Sequence, residues 1–304
     1  MDPTVNTLEE LRGRTAIVTG AGKGLGRAYA LHLARHGARV LVNNRRHAGE
    51  SDADTSAQQT VEAIRSAGGT AIANWCDVTD PDSGKAMVEQ ARSSFGRLDI
   101  VVANAGVDRA STFAKQTMVD FRAIFDTSFF GNLHLVHAAW PGLVEQDYGR
   151  VVLTTSSAGL YGNYGQAAYS AAKSAVIGLV RALAIEGQRH GVRINAIAPY
   201  GYSRMTAPYL PPEMAATFDA QRVAPLVGWL ASAGCDVTGE VLVCGAGLAR
   251  RAGVGETDAR VLPDAAIAAT VHHLLARPWH SHASASDSFT RFLNEIPGSA
   301  KDTT

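Results

Sequence analysis

The segment TAIVTGAGKGLGRAYALHLARHGARVLVN, residues 15–43, decides how this chain folds. Its first six residues, 15–20, are an apolar run that ends in a glycine, which is typical of a buried strand. Residues 26–38 repeat apolar side chains with helical spacing and stop beside Gly37, a residue type common at helix C-termini. A second apolar run follows at 39–43. The order strand, glycine loop, helix and strand predicts a βαβ unit with parallel strands.

Five more apolar runs follow along the chain, and helical patterns separate most of them. They cover residues 70–78, 98–106, 149–157, 192–199 and 240–247. Strands rich in Val, Ile and Leu that alternate with helices favour a parallel sheet covered on both faces. We therefore predict an α/β fold over residues 1–248, a single doubly wound Rossmann-type domain with a seven-stranded parallel sheet. Residues 249–304 form a C-terminal helical extension, with a helix over 263–279, that packs on this domain or on a neighbouring subunit.

The composition restricts the classes of partner. The chain has 304 residues with 28 basic and 28 acidic side chains, so its formal charge is zero. This balance gives no reason to expect nucleic acid or an anionic membrane as a partner. Three cysteines without a C-x-x-C pair favour free thiols in a reducing compartment. Since no signal-peptide region or uninterrupted apolar run of membrane length is evident, we expect a cytoplasmic location.

A glycine-rich loop joins the first strand to the first helix. It reads TGAGKGLGRA, residues 19–28, and Gly20, Gly24 and Gly26 give it the spacing G-x-x-x-G-x-G. Leu25 interrupts the more common G-x-G-x-x-G pattern. Glycines still permit a tight turn and a close backbone approach, and a helix N-terminus offers unpaired N–H groups to a pyrophosphate. We predict a dinucleotide site here; the alternative is a turn without a ligand.

Two further motifs point to a family. The sequence NAG stands at 104–106, and Tyr169 precedes Lys173 in a Y-x-x-x-K motif. Together with the glycine loop, and in this order, they resemble the short-chain dehydrogenase/reductase family over residues 10–248. The resemblance implies an NAD(P)-dependent alcohol dehydrogenase or ketoreductase. It also implies cofactor contacts from Asp77, Val78, Asn104, Ala105, Gly106, Tyr169, Lys173, Pro199 and Thr206. The alternative for Asp77 is a turn or helix-cap aspartate, and the alternative for Thr206 is an ordinary surface threonine.

The Y-x-x-x-K spacing has a chemical reason. Residues four apart share one face of a helix, so Tyr169 and Lys173 would be neighbours. A free phenol has a pKa of about 10 and is a poor base at neutral pH. A lysine ammonium about 5 Å away contributes roughly 3 kcal/mol at an effective dielectric constant near 20. With the positive charge of the oxidised nicotinamide supplying the rest, we expect Lys173 to lower the pKa of Tyr169 towards the working pH, where an acid–base catalyst functions best.

The family resemblance implies two more catalytic positions. A serine thirteen residues before the tyrosine orients the reacting oxygen, and this count reaches Ser156, which we prefer to the adjacent Ser157. Many family members carry an asparagine in the preceding long helix that supports a water chain to the lysine. Ser128 stands at that place. A serine can bond a water but reaches less far, so the chain departs from the family pattern here.

The residues after the second strand bear on which nicotinamide cofactor is used. An NAD-preferring Rossmann site has an acidic residue at this position. Here Asn44 is followed by Arg45 and Arg46, and Lys23 lies in the glycine loop. Guanidinium groups can bind a 2′-phosphate bidentately. We therefore predict that NADP(H) is favoured over NAD(H); the alternative is that these are solvated surface cations.

A narrower resemblance concerns the substrate. The segments YGNYGQAAYSAAK, SRMT and VAPLVGWL resemble the (3R)-hydroxyacyl-CoA dehydrogenase region of peroxisomal multifunctional enzyme type 2, also called 17β-hydroxysteroid dehydrogenase type 4. This implies a bulky, apolar secondary alcohol or ketone. The loop 200–218 has no cluster of basic residues for CoA phosphates, although Arg204 and Arg222 are near. We therefore favour a steroid or other cyclic ketone, with NAD-dependent (3R)-hydroxyacyl-CoA dehydrogenase as the alternative.

Two functions outside catalysis also remain open: a nucleotide-sensing binding protein and a structural partner in an oligomer. The presence of Ser156, Tyr169 and Lys173 argues against a sensor, which has no need of them. The resemblance implies a homodimer or homotetramer that pairs through helices within 110–146 and 166–190. No carboxylate or cysteine completes a ligand pattern among the four C-terminal histidines, so we expect no metal. They are His272, His273, His280 and His282.

Overall fold

The computed structural model describes residues 11–203, 205–207, 211–260 and 267–296. Arg204, which the sequence offers as a contact for CoA phosphates, lies outside these residues, and so does the start of the helix predicted over 263–279. The chain divides into two compact units, of which the first runs through Ala252 and the second begins at Gly253. Each unit is described by itself below.

The first unit is built on an eight-stranded sheet. In chain order the strands are β1 (Thr15–Val18), β2 (Arg39–Asn43), β3 (Thr70–Asn74), β4 (Ile100–Ala103), β5 (Gly149–Thr154), β6 (Val192–Tyr200), β7 (Val241–Gly245) and β8 (Leu248–Ala252). Their order across the sheet is β3-β2-β1-β4-β5-β6-β7-β8. The first seven pair in parallel, which confirms the predicted doubly wound sheet. Strand β8 was not predicted; it follows β7 after a tight turn and pairs with it antiparallel.

Helices cover both faces of this sheet. They are α1 (Gly24–Arg35), α2 (Ser56–Ser66), α3 (Ser83–Phe95), α4 (Met118–Phe125), α5 (Gly131–Glu145), α6 (Ser157–Tyr161), α7 (Ala167–Gly187) and α8 (Ala224–Ala231). Residues of α1, α2 and α8 pack in one apolar cluster, and residues of α3, α5 and α7 pack in another. A π-helical turn, Asp126–Phe130, joins α4 to α5.

The alternation of side chains along each strand explains why the apolar runs are continuous. Successive residues of a strand point to opposite faces. In β1, Ala16 and Val18 join the cluster of α1, whereas Ile17 joins the cluster of α3. Every residue of β1 and β5 is buried. Both faces of the central strands therefore lie in the core, as a parallel sheet requires.

Helix α7 is the longest helix of the first unit. With the short turn that continues it to His190, it is long and apolar enough for a membrane span by length and composition alone, at a mean hydropathy of 1.3. Core helices of globular proteins meet the same criterion. Here Val176, Ile177 and Val180 belong to the apolar cluster beneath the sheet. The helix therefore packs as a core element of the first unit.

The second unit contains α9 (Ile267–Leu275) and α10 (Ala285–Asn294). A β-bridge joins Glu256 to His280. His280 lies 3.4 Å from the carboxylate of Asp258, and His282 lies 3.4 Å from Glu256 and 3.6 Å from Asp287. Across the described residues, no group of three or more His, Cys, Asp or Glu side chains is arranged to hold a metal ion. His280 is thus paired with one carboxylate and His282 with two.

Two helical glycines test how closely helices α3 and α5 pack. A Cβ added at Gly84 in α3 would lie 2.2 Å from the carbonyl oxygen of His134 in α5, whereas nothing lies within 4 Å of one added at Gly178 in α7. Gly84→Ala should force α3 away from α5 and lower the free energy of unfolding by about 1–3 kcal/mol. Gly178→Ala, the matched control, should leave it unchanged or raise it by up to about 1 kcal/mol. Urea denaturation measures both, and equal effects would contradict this packing.

Candidate active site

The glycine loop has the shape of a phosphate cradle. Gly20 and Gly24 adopt φ values of 63° and 56°, in the left-handed region that favours glycine. A Cβ added at Gly26 would lie 2.3 Å from the carbonyl oxygen of Gly20, so only glycine lets α1 start this close to the loop. Lys23, at the N-cap, is extended and makes no side-chain cap bond. The first-turn N–H groups of α1 therefore remain available to an anionic ligand.

Asn104 and Ala105 tie together the strand ends at which the sheet order reverses. Their backbone N–H groups donate to the hydroxyl of Thr19 at 3.0 and 3.1 Å. The side-chain amide of Asn104 donates to the carbonyl oxygen of Thr19 at 3.1 Å and accepts from the hydroxyl of Thr154 at 3.3 Å. The ends of β1, β4 and β5 are thereby held in register, at the edge where doubly wound sheets bind ligands.

Gly106 leaves room for two polar groups behind this edge. A Cβ added there would lie 3.3 Å from the ammonium nitrogen of Lys173 and 3.5 Å from the hydroxyl of Ser128. Ser128 is fully buried in the π-helical turn. Its hydroxyl accepts from the N–H of Val107 at 3.1 Å and donates to the carbonyl oxygen of Val107 at 3.0 Å. One acceptor lone pair of Ser128 is left, and its proton is committed to the backbone.

Tyr169 and Lys173 lie on one face of α7, as the spacing predicts. The ammonium nitrogen of Lys173 is 5.8 Å from the centre of the Tyr169 ring and donates a 2.7 Å hydrogen bond to the carbonyl oxygen of Thr154. Lys173 is only 1% exposed. Burial lowers the pKa of its ammonium to about 8.

The pKa of Tyr169 differs from the sequence expectation. Burial raises this pKa, a hydrogen bond with Ser156 lowers it, and the negative charge of Asp108 raises it, so that the pKa is about 12. In the protein alone, Lys173 therefore does not bring the pKa of the phenol near the working pH. The reason is that the phenol loses its hydration while the ammonium donates to the backbone at Thr154. At neutral pH the phenol is protonated and can donate.

Ser156 follows β5 and caps α6. Its hydroxyl accepts from the N–H of Ala158 at 3.2 Å and also bonds the hydroxyl of Tyr169. Ser157 is the first residue of α6, so it is Ser156 that the structure places against the phenol. A hydroxyl, a phenol and an ammonium thus meet at the end of β5.

The end of β2 carries the residues that the sequence associates with cofactor choice. The side-chain amide of Asn44 donates to the hydroxyl of Ser56 at 2.9 Å. The guanidinium of Arg46 lies over the indole of Trp75, 4.7 Å from the ring centre. Arg45 is half exposed and extends towards the next strand end. Each guanidinium at this edge therefore has a carboxylate partner, Asp77 for Arg45 and Asp52 for Arg46.

Asp77 and Val78 follow β3 at the neighbouring position. One carboxylate oxygen of Asp77 accepts from the N–H and the hydroxyl of Thr79 at 3.0 and 2.9 Å, and the other lies 3.6 Å from Arg45. Although burial would raise the pKa of Asp77, these partners hold it below its usual range. Val78 is buried, and its carbonyl oxygen bonds the ring of His134 at 3.1 Å. Asp77 thus closes a turn and pairs with Arg45.

The loop after β6 contributes the remaining predicted contacts. Pro199 lies within β6, and a Cβ added at Gly201 would be 2.9 Å from the side chain of Leu25, so this loop packs on the glycine loop. The hydroxyl of Thr206 donates to the carbonyl oxygen of Gly201 at 2.6 Å and accepts from the N–H of Ser203 at 2.8 Å. Thr206 therefore shapes the loop beside the cradle.

A model of the family described as short chain dehydrogenase matches residues 14–210. The chain belongs to the short-chain dehydrogenase/reductase family. It is 41% identical, over 79% of its length and 85% of the relative's, to a short-chain type dehydrogenase/reductase of Mycobacterium tuberculosis. It is 42% identical to peroxisomal multifunctional enzyme type 2 of Mus musculus, with 77% of this chain covered. The chain spans only 32% of the mouse enzyme.

A solved structure agrees with this membership. A short-chain dehydrogenase from Mycobacterium avium superposes with a TM-score of 0.79 and 36% identity, covering 89% of this chain and 98% of that one. The chain is accordingly an NAD(P)-dependent oxidoreductase of the short-chain dehydrogenase/reductase type.

Several residues of this site escaped the sequence analysis. Thr19 follows β1 and Thr154 ends β5. The position of Thr19 directly before the glycine loop is a signal that could have identified it. Asn132, one helical turn after Ser128, donates to the Ser128 carbonyl oxygen at 2.8 Å and is buried. Asp108, whose negative charge raises the pKa of Tyr169, belongs to no motif that the sequence analysis used.

Buried Lys173 makes the stability depend on pH. Its pKa is about 8 in the folded protein and 10.5 ordinarily, so between these values the unfolded chain holds a proton that the folded protein has lost. The free energy of unfolding must therefore rise through this window as pH increases. Lys173→Met, which removes the charge, should lack this rise. The free energy of unfolding of Lys173→Met minus that of the unchanged protein should fall by about 3 kcal/mol from pH 7 to pH 10.5.

Chemical denaturation of both proteins across that range measures the effect. Other groups titrate identically in the two proteins, so only the difference is interpreted. A difference independent of pH would mean that Lys173 is not desolvated.

Proposed function

We propose that the chain transfers hydride between NADP(H) and a secondary alcohol or ketone on a bulky apolar substrate. The observation that carries this proposal is the meeting of Ser156, Tyr169 and Lys173 at the end of β5, next to the phosphate cradle. The dinucleotide, when bound, supplies or accepts the hydride. Its fit is supported by the uncapped N-terminus of α1 and by the space that Gly26 leaves beside the Gly20 carbonyl.

The three side chains divide the proton chemistry among them. In ketone reduction, Ser156 donates a hydrogen bond to the carbonyl oxygen. As hydride adds to the carbonyl carbon, the electron pair of the C=O bond moves to that oxygen, which takes the proton of Tyr169. The phenolate left behind is stabilised by Ser156 and by the positive charge of Lys173. Alcohol oxidation runs the same steps in reverse.

The high pKa of the phenol supports reduction as the direction that the protein alone is prepared for. A pKa of about 12 keeps Tyr169 protonated at neutral pH. A general acid must carry its proton before the reaction, whereas a general base must have lost it. The same phenol needs additional positive charge nearby before it can act as a base.

The substrate class is proposed from the surroundings of the site. Exposed apolar side chains occupy the segments next to the catalytic residues, and these segments include Phe113, Tyr161 and Met205. They suit a bulky, apolar ketone such as a steroid or other cyclic ketone.

Assembly as a homodimer or homotetramer is proposed from exposed apolar residues on α4, the following turn and α7; a monomer by light scattering would exclude it. These are Met118, Val119, Phe130 and Ile185.

A second candidate is an NAD-dependent (3R)-hydroxyacyl-CoA dehydrogenase. The 42% identity to peroxisomal multifunctional enzyme type 2 of Mus musculus favours it. Both candidate enzymes carry out the same reaction at a secondary carbinol. They differ in the rest of the substrate, which is a cyclic skeleton in one case and an acyl-CoA thioester in the other. A panel of cyclic ketones and 3-oxoacyl-CoA thioesters, each assayed with NADPH and NADH by nicotinamide absorbance, separates them by kcat/KM.

Replacing the phenol tests whether the chain is an enzyme or a nucleotide sensor. Tyr169→Phe should lower kcat by roughly 10²- to 10⁴-fold because it removes the transferred proton. Dinucleotide affinity by calorimetry should change by no more than about twofold, since the cradle is intact. Tyr164→Phe, at a tyrosine that is 88% exposed, is the control and should retain full activity. Undiminished turnover in Tyr169→Phe would exclude the proposed role.

Replacing Asn44 tests the cofactor assignment. Asn44→Asp places a carboxylate where it repels a 2′-phosphate and can bond ribose hydroxyls. The ratio of kcat/KM for NADPH to that for NADH should fall by at least about tenfold. Gln59→Glu adds the same charge on the exposed side of α2 and should leave the ratio unchanged. If neither variant alters the ratio, the end of β2 does not select the cofactor.

A further inference from the structure

The start of helix α2 packs tightly against the glycine loop. The hydroxyl of Thr60 is fully buried and lies within hydrogen-bond distance of the carbonyl oxygens of Ala21 and Ser56, at 3.1 and 3.0 Å. One turn earlier, Ser56 is 9% exposed. A Cβ added at Gly22 would lie 2.3 Å from the hydroxyl of Ser56, so only a glycine leaves room for that hydroxyl. Ser56 therefore has a fixed place between α2 and the glycine loop.

Ser56 in turn holds the side chain of Asn44. The amide nitrogen of Asn44 donates to the hydroxyl of Ser56 at 2.9 Å and reaches the carbonyl oxygen of Arg45 at 3.4 Å. A carbonyl oxygen can only accept, so the atom of the amide that lies next to it must be the nitrogen. The nitrogen end of the Asn44 amide thus faces α2.

The oxygen end of the same amide is open to a ligand. Oδ1 of Asn44 has no hydrogen-bond partner among the described residues. It is also not one of the buried polar atoms that lack a partner, and Asn44 as a whole is only half-buried. Because the amide is planar, Oδ1 points away from α2. An accessible acceptor is therefore left at the end of β2.

The position of this acceptor is that of the adenosine ribose. In a doubly wound dinucleotide site, the residue at the end of the second strand accepts a hydrogen bond from the ribose 2′-hydroxyl. Asn44 follows β2 directly, and a Cβ added at Gly22 would lie 3.0 Å from its Cγ, so its side chain borders the phosphate cradle. An amide oxygen accepts from a hydroxyl as a carboxylate oxygen does, but it carries no net charge.

The neighbouring cations attract a 2′-phosphate only in competition with carboxylates. The guanidinium of Arg45 lies 3.6 Å from the carboxylate of Asp77, and Arg46 pairs with Asp52. A 2′-phosphate must therefore share these guanidinium groups with acids that are already in place. The end of β2 combines a weakened phosphate site with an acceptor suited to a hydroxyl.

We propose that Ser56 is a positioning residue for cofactor selection, which turns the oxygen of the Asn44 amide towards the ribose 2′-position. There Oδ1 accepts a hydrogen bond from the 2′-hydroxyl of NAD(H). The site thereby takes NAD(H) as well as the NADP(H) of the proposed function, on which this inference rests. Ser56 acts only through Asn44. NADP(H), which has no 2′-hydroxyl, gains nothing from this orientation.

The unchanged protein tests the acceptor without any substitution. Titration calorimetry compares NAD⁺ with 2′-deoxy-NAD⁺, which lacks only the donating hydroxyl. The dissociation constant of the deoxy compound should be roughly three- to tenfold higher, since one hydrogen bond is lost. Equal affinities would overturn the inference, whether or not any variant folds.

Ser56→Ala tests the positioning role. Without the hydroxyl, the Asn44 amide can turn its nitrogen towards the ribose. The dissociation constant of NAD⁺ should rise by roughly three- to tenfold while that of NADP⁺ stays the same or falls. Ser93→Ala removes a hydroxyl that bonds the carbonyl oxygen of Gln90 on the exposed side of α3, and it should leave both constants unchanged. An unaltered ratio of the two constants in Ser56→Ala contradicts the positioning role.

The Asn44→Ala background separates positioning from a general structural effect. If Ser56 acts through Asn44, adding Ser56→Ala to Asn44→Ala should cause no further change in the ratio of the two dissociation constants. The same shift with and without the amide would show that Ser56 acts by another route and would overturn the inference.

These measurements involve no ketone, so they are independent of hydride transfer. If NAD⁺ and NADP⁺ bind with the expected pattern but no ketone is reduced, the proposed function fails and the role of Ser56 stands. If a ketone is reduced but the protein does not distinguish NAD⁺ from its deoxy analogue, the proposed function stands and the role of Ser56 fails.

Discussion

The buried ammonium of Lys173 is the group around which the site is arranged. Removing a charge from water is costly unless it is hydrogen-bonded, and here the carbonyl oxygen of Thr154 is its bonded neighbour at 2.7 Å. Two glycines provide the space: a Cβ at Gly106 would crowd the ammonium, and one at Gly159 would lie 2.7 Å from the Lys173 backbone carbon. The hydroxyl of Thr155 then fixes the helix by donating to the Lys173 carbonyl oxygen at 2.6 Å. Strand β5 and helix α7 are thus joined at the residue whose charge the proposed chemistry uses.

Burial moves the pKa values of Tyr169 and Lys173 in opposite directions, and this decides their resting protonation states. The pKa of Lys173 falls to about 8 and that of Tyr169 rises to about 12. Both groups still carry their protons at neutral pH. A phenol that has not ionised costs less to bury than a phenolate, so the protein is stable with an acid, rather than a base, in place. Under the proposed function, the positive charge that Lys173 retains stabilises the phenolate once the phenol gives up its proton.

Much of the fold could be read from the sequence because apolar runs and glycines report local geometry. The seven parallel strands follow from such runs, although several were predicted too long, as at 75–78 and 155–157. Strand β8 was missed, since two adjacent arginines interrupt its short sequence and its pairing depends on the turn before it. The pKa of Tyr169 was misjudged because a pairwise Coulomb estimate omits desolvation. Asn44 and Ser56 lie twelve residues apart in the chain, and no spacing rule could reveal their contact.

The charges at the carboxyl edge of the sheet separate the two halves of the proposed site. At the end of β2 an amide, Asn44, stands in place of an acid, and the guanidinium of Arg45 lies 3.6 Å from the carboxylate of Asp77. Beyond β4 lies the carboxylate of Asp108, whose negative charge raises the pKa of Tyr169. A second anionic group beside the phenol would be repelled by that charge. Under the proposed function, the position beside Tyr169 therefore favours a neutral carbonyl or alcohol over a charged group.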